Sequence, residues 1–205
     1  MTLINVTFDR DGGLSIWSDT ETATRSGDPL GEGAKCWPSP VLQCAIAVRG
    51  DLTLLAHVAS ALLVPYGAAF DQALQGLAQG GLDAALRHTR ETAPGTGTLQ
   101  HVVIAGWSSS AQRYRAASFF SSFSKDFDCR PVETDLFAPW PPEFGPTPAA
   151  ADSAAMIAAA ERQAAFIKSR NGGYAAGGRL QRTRLLPGGA GIEITFPHAF
   201  AESSA

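Results

Sequence analysis

Met1-Thr2-Leu3-Ile4-Asn5-Val6-Thr7-Phe8, then Asp9-Arg10-Asp11-Gly12-Gly13, then Leu14-Ser15-Ile16-Trp17-Ser18-Asp19-Thr20-Glu21: this opening stretch decides the fold. Two runs that alternate apolar and polar residues flank a turn rich in Asp and Gly, the pattern of a β-hairpin. Thr2 starts one strand and Asp19 ends the other, so the hairpin brings them together. With Met1 removed, Thr2 would carry an α-amine and a hydroxyl on one residue, beside a carboxylate. Such a residue is a nucleophile with its own base.

The 205 residues fit a single domain, 1–205, large enough to bury a sizeable core. A formal net charge of −3, with no basic stripe, excludes nucleic acid as a partner class. Cys36, Cys44 and Cys129 are too few and too scattered for a disulfide framework or a zinc site, and read as reduced thiols filling the core. His57, His88, His101 and His198 lack metal-ligand spacing, and each reads as a surface or strand residue. Gly12-Gly13 and Gly172-Gly173 lack the Walker lysine and the dinucleotide spacing, so no cofactor or metal is expected. Ser108-Ser109-Ser110 reads as a hairpin turn and not as a nucleophile elbow. The N-terminus has no basic segment leading into an apolar one, and no run of about twenty apolar residues occurs. No membrane association is expected, and the location is cytoplasmic or within a phage particle.

Further along, the polar, Gly- and Pro-bearing stretch Thr22 to Ala34 reads as a loop. Lys35-Cys36-Trp37 begins a short strand broken at Pro38-Ser39-Pro40, and Val41 to Val48 reads as a strand buried on both faces. Asp51 caps a helix from Leu52 to about Leu63, ended by Pro65. A second helical region, about Ala68 to Arg90, is divided at Gly80-Gly81. His101 to Trp107 and Arg113 to Phe119 form a hairpin, and Arg130 to Leu136 reads as a strand. Phe137 to Pro148 holds five prolines, which excludes regular structure, while Phe137, Trp140 and Phe144 suit packing along a surface. Ala149 to Ser169 is a helix capped at Asp152 or Ser153, with Met156, Ile157, Ala160, Ala164 and Ile167 on its buried stripe. Asn171-Gly172-Gly173 stops it, and Arg179 to Leu186 pairs with Gly191 to Phe196 in a final hairpin. Runs of strands between helical blocks indicate an α+β class.

This order of elements resembles the proteasome β-subunit and HslV branch of the Ntn-hydrolase superfamily. The resemblance rests on Thr2, Asp11-Gly12-Gly13, Ser18-Asp19, Lys35, Gly50, Ala105-Gly106-Trp107, Ser169-Arg170-Asn171-Gly172 and Gly177-Gly178. It implies a four-layer αββα sandwich of two antiparallel sheets flanked by helices. It also implies site roles: Thr2 as nucleophile, Asp19 as buried carboxylate, Lys35 as catalytic lysine, and Gly50 as donor of the N–H that stabilises an oxyanion. The chemistry is coherent. A lysine kept charged beside a carboxylate favours ionisation of a nearby hydroxyl, and a glycine N–H can meet a tetrahedral oxyanion. The chain departs from the family at Asn171, where an Asp is usual, and at Glu21, where a basic residue is usual. On residue type alone, Asp19 and Lys35 also fit an ordinary structural ion pair, and Gly50 fits a strand-to-helix turn.

Two functions follow. One is an N-terminal-threonine amidohydrolase or peptidase taking a peptide substrate. The other is a non-catalytic copy of the same fold, used as a structural or assembly subunit such as a phage tail or virion component. In both, the chain is expected to form a homo-oligomer or to belong to a larger protein assembly.

Overall fold

A computed structural model describes residues 2–23, 28–63, 69–93, 100–121, 127–148, 152–170 and 176–201. Strand β1 (Ile4–Phe8) pairs antiparallel with β2 (Leu14–Asp19), with Ile4 opposite Ser18 and Val6 opposite Ile16. The Asp–Gly turn closes through two backbone bonds, Asp9 N–H to Gly13 O at 2.9 Å and Gly12 N–H to Asp9 O at 3.0 Å. Gly12 has φ +85°, where only glycine sits without strain.

The chain continues as β3 (Glu21–Ala23), β4 (Pro29–Glu32), β5 (Cys36–Ser39) and β6 (Cys44–Arg49). Helices α1 (Leu52–Leu63), α2 (Phe70–Gly76) and α3 (Leu82–Thr92) follow. Then come β7 (Gln100–Ser108), β8 (Arg113–Ser121), β9 (Asp128–Val132) and β10 (Leu136–Ala138). Helix α4 (Ser153–Arg170), β11 (Arg179–Leu185) and β12 (Ile192–Ala199) complete the order.

The strands form one sheet in the order β10-β1-β2-β11-β12 and a second in the order β5-β6-β7-β8-β9. Side-chain alternation along these strands builds the layers. Ile4, Val6, Leu14, Ile16 and Leu185 of the first sheet meet Ala45, Ala47, Val103 and Ala105 of the second. On the other face of the second sheet, Ile46, Val48, Val102 and Ile104 pack against Leu54, Val58, Leu62, Leu82 and Leu86 of α1 and α3. On the other face of the first sheet, Leu3, Trp17 and Leu180 pack against Met156, Ala160, Ala164 and Ile167 of α4. The result is the expected αββα sandwich of two antiparallel sheets between helical layers.

Local capping accounts for the starts of α1 and α4. Asp51 Oδ1 accepts the N–H of Thr53 at 2.9 Å, and Asp152 Oδ1 that of Ala154 at 2.9 Å. The turn Leu77–Gly81 between α2 and α3 is wide, and Gly80 (φ +116°) supplies its non-helical bend. No helix among the described residues is long and apolar enough to cross a membrane.

Several expectations are corrected. The stretch read as a loop from Thr22 contains part of the paired hairpin β3–β4, with Glu21 opposite Glu32. Pro38 lies within β5, which is tolerable because β5 is an edge strand and no partner needs that N–H. The strand after the turn begins at Cys44, and Val41 stands 75% exposed in that turn. The strand placed at Arg130 to Leu136 splits into β9 and β10. Phe137 and Ala138, read as irregular, pair with Asn5 and Ile4 of β1. Cys36 and Cys44 are buried thiols, both pushed up to about 12 by burial, but Cys129 is exposed on the edge strand β9. The buried stripe of α4 includes Gln163, whose amide bonds reciprocally to that of Asn5 at 2.8 Å in each direction. Met1, Pro65, Asn171, Gly172 and Gly173 lie outside the described residues.

Candidate functional site

The end of β2, the start of β1 and the entry to β5 converge on one carboxylate. Asp19 is fully buried, and its Oδ2 accepts a hydrogen bond from Lys35 Nζ at 2.6 Å. Oδ1 accepts the N–H of Leu3 at 3.0 Å, and Oδ2 also accepts the N–H of Gly177 at 3.3 Å. Hairpin register explains the first contact, because β1 and β2 run side by side to their shared end. Lys35 reaches the carboxylate because the chain enters β5 there, with the Lys35 carbonyl held by the N–H of Val48 at 3.0 Å. Thr2 is buried and directly precedes the residue whose N–H is bound to Asp19.

Burial pushes the Asp19 carboxyl above the usual carboxylate range, opposed by the Lys35 ammonium and by the N–H groups of Leu3 and Gly177. The Lys35 and Asp19 side chains are 4% and 0% exposed, so water does little to screen their attraction. A second cation is nearby. Arg49, at the end of β6, is largely buried; burial lowers its pKa and the Asp19 charge opposes that shift. Across the sheet from Arg49 lies His101, whose Nε2 is 2.7 Å from Ser118 Oγ. Burial and the Arg49 charge push His101 down to about 4, so it is neutral at neutral pH. It behaves as a satisfied strand histidine.

Of the four residues singled out from the sequence, Asp19 and Lys35 are in contact, and Thr2 is buried one residue before Leu3, whose N–H Asp19 binds. Gly50 stands at the bend between β6 and α1, two residues past the Val48–Lys35 bond, exposed and with φ +136°. Among the described residues no hydrogen bond joins it to the Asp19–Lys35 pair.

Other residues at the site carried weaker sequence signals. Gly177 belongs to a visible Gly-Gly pair, but its role as a donor to Asp19 comes from long-range pairing. Thr20, Glu32, Arg49 and Arg179 had no local signal. The rings of His57 and His88 lie 4.4 Å apart, tilted 49° to each other, on the outer helices α1 and α3.

The layer order defines the fold: a proteasome-like αββα sandwich, Ntn-hydrolase-like in architecture. No protein-family model matches the sequence, and no curated protein matches it. Among solved structures, the chain is similar to Anbu (ancestral beta-subunit) from Yersinia bercovieri, with a TM-score of 0.61 at 12% identity, covering 97% of this chain and 89% of that one. It is also similar to Anbu from Hyphomicrobium sp. strain MC1, with a TM-score of 0.62 at 12% identity, covering 100% of this chain and 89% of that one. At such identity the likeness shows the fold alone. It corrects the assignment to the proteasome β-subunit and HslV branch, because the structures matched are Anbu proteins, proteasome-like but a distinct family. The motifs behind that assignment are one to four residues long and mark the shared architecture, so they do not separate one branch from another.

Proposed function

We propose that the chain is an N-terminal-threonine hydrolase acting on amide bonds of peptide-like substrates. The observation that carries this reading is the buried 2.6 Å contact between Lys35 and Asp19 at the strand end occupied by Thr2. Once Met1 is removed, the α-amine of Thr2 takes the proton from its own hydroxyl as the oxygen attacks the substrate carbonyl. The Lys35 charge lowers the cost of forming that alkoxide, and Asp19 holds Lys35 in place. The N–H of Gly50 serves the tetrahedral oxyanion; its collapse breaks the C–N bond as the Thr2 ammonium returns its proton to the departing substrate nitrogen, which leaves an ester on Thr2 and the α-amine of Thr2 neutral again. Water, deprotonated by the same amine, then hydrolyses the ester. The functional unit is a single domain, 1–205, with the Pro- and aromatic-rich segment 137–148 along its surface.

One test uses an electrophilic β-lactone, which acylates an activated hydroxyl. Native protein is expected to take up one equivalent and Thr2→Ala none; equal labelling of both would refute the assignment of Thr2.

A second reading, a non-catalytic assembly subunit such as a virion component, is favoured by a different observation. The edge strand β12 is eight residues long and exposed along most of its length, with Ile194 and Phe196 46% and 45% exposed. Long apolar edges are sites where another chain adds. Self-association through this edge suits the homo-oligomer expected from the sequence. Sedimentation would separate the readings: a defined oligomer that takes up no β-lactone supports the structural role, and a labelled monomer refutes it.

A further inference from the structure

Glu32 ends β4, three residues before Lys35. Its Oε2 accepts hydrogen bonds from Thr20 Oγ1 at 2.7 Å and from Arg179 Nε at 2.8 Å. The Arg179 N–H in turn donates to Thr20 Oγ1 at 2.7 Å, which closes a ring of three bonds. Thr20 is buried and follows Asp19 directly. Its carbonyl accepts the N–H of Gly33 at 2.7 Å. The segment Glu32–Lys35 is therefore fastened to Asp19–Thr20 at three points: Glu32 to Thr20, Gly33 to Thr20, and Lys35 to Asp19. The fit is tight. A Cβ on Gly178 would stand 2.7 Å from Thr20 Oγ1 and 3.2 Å from Glu32 Cγ.

We propose that Glu32 is a positioning residue for the Lys35–Asp19 pair, clamping the segment that carries the lysine onto the residue that follows the carboxylate. This rests on the reading of Lys35 as the group that activates Thr2. Glu32 and Arg179 are 42% and 50% exposed, and ion pairs that exposed contribute little to folding. Reach is a different matter. Lys35 has a long, flexible stem, and a misplacement of about 1 Å at a reacting group costs roughly 100-fold in rate. Losing the clamp should therefore leave the fold nearly intact while slowing the chemistry.

The experiment compares Glu32→Ala with Glu32→Gln, whose amide oxygen still accepts both bonds. Two quantities are read: the rate of β-lactone labelling, and the titration midpoint of the Asp19 carboxyl carbon by 13C NMR. In Glu32→Ala, labelling is expected to slow about 10- to 100-fold with the melting temperature near that of the native chain. The Asp19 midpoint is expected to rise by about one pH unit, as its counter-charge loosens. Glu32→Gln should restore both. Should Glu32→Ala not fold, Thr20→Val exchanges only the hydroxyl for a methyl group and is expected to raise the midpoint likewise. An Asp19 midpoint unchanged in every variant overturns the proposal. A midpoint that moves as expected in a protein that never labels supports the clamp and refutes the hydrolase reading instead.

Discussion

Replacing Lys35 by Met keeps most of the side-chain volume and removes the ammonium, leaving Asp19 as a buried carboxylate without its counter-ion. The two side chains are 4% and 0% exposed, so solvent cannot take over the lost interaction. Removing one partner of such a pair costs about 3–5 kcal/mol. In a chain of this size each kcal/mol lowers the melting temperature by about 2–4 °C, so Lys35→Met is expected to melt roughly 6–20 °C lower. The loss depends on pH, with a sign fixed by burial. Burial already pushes the Asp19 carboxyl up, and without Lys35 the Leu3 and Gly177 N–H groups and the Arg49 charge are left to oppose it. A carboxyl whose folded pKa lies above its unfolded value of about 3.9 contributes stability that is present below that value and lost as pH rises through the folded pKa. The variant is therefore weakest at neutral pH and recovers toward native stability near about pH 4. Urea unfolding at both pH values reads this directly. Lys35→Met/Asp19→Asn, which leaves no buried charge, should regain much of the stability at neutral pH. A loss under about 1 kcal/mol at neutral pH, unchanged in acid, would mean that the pair behaves like an exposed one and would refute the reasoning.

Gly106→Ala is expected to destabilise the protein by about 1–3 kcal/mol in thermal melts, since a Cβ there would lie 2.3 Å from the Phe70 ring and 2.7 Å from Cys44 Cβ. A native melting temperature would mean that α2 is not seated on β7 as described. Gln163→Leu strands the buried Asn5 amide and the Pro139 carbonyl, and is expected to cost about 1–3 kcal/mol by urea unfolding. Adding Asn5→Leu should recover part of it, and strict additivity of the two losses would contradict a shared bond.

How much of this was legible depended on the range of the signal. Local signals read correctly: the Asp-Gly turn of β1–β2, the caps at Asp51 and Asp152, and the break at Gly80 each act within a few residues. Asp19 and Lys35 were legible as a pair only through the resemblance, because 16 residues separate them and no periodicity links them. The pairing of β3 with β4 was missed because these short strands lie in a stretch rich in Gly and polar residues, and only their pairing with each other defines them. Gln163 was missed within an apolar stripe because its partner, Asn5, is 158 residues away. Glu32 and Arg179 were invisible for the same reason: they are 147 residues apart and meet only once β11 has joined β2. The resemblance pointed to the wrong branch because short motifs belong to the architecture and not to one lineage.

The proposed function rests on Thr2, freed of Met1, acting as the nucleophile. Intact-mass measurement of the native protein before and after β-lactone treatment tests it most directly. The expected starting mass lacks one methionine, and a single adduct is expected to map to Thr2 on digestion. A protein that retains Met1, or an adduct on any other residue, would contradict it.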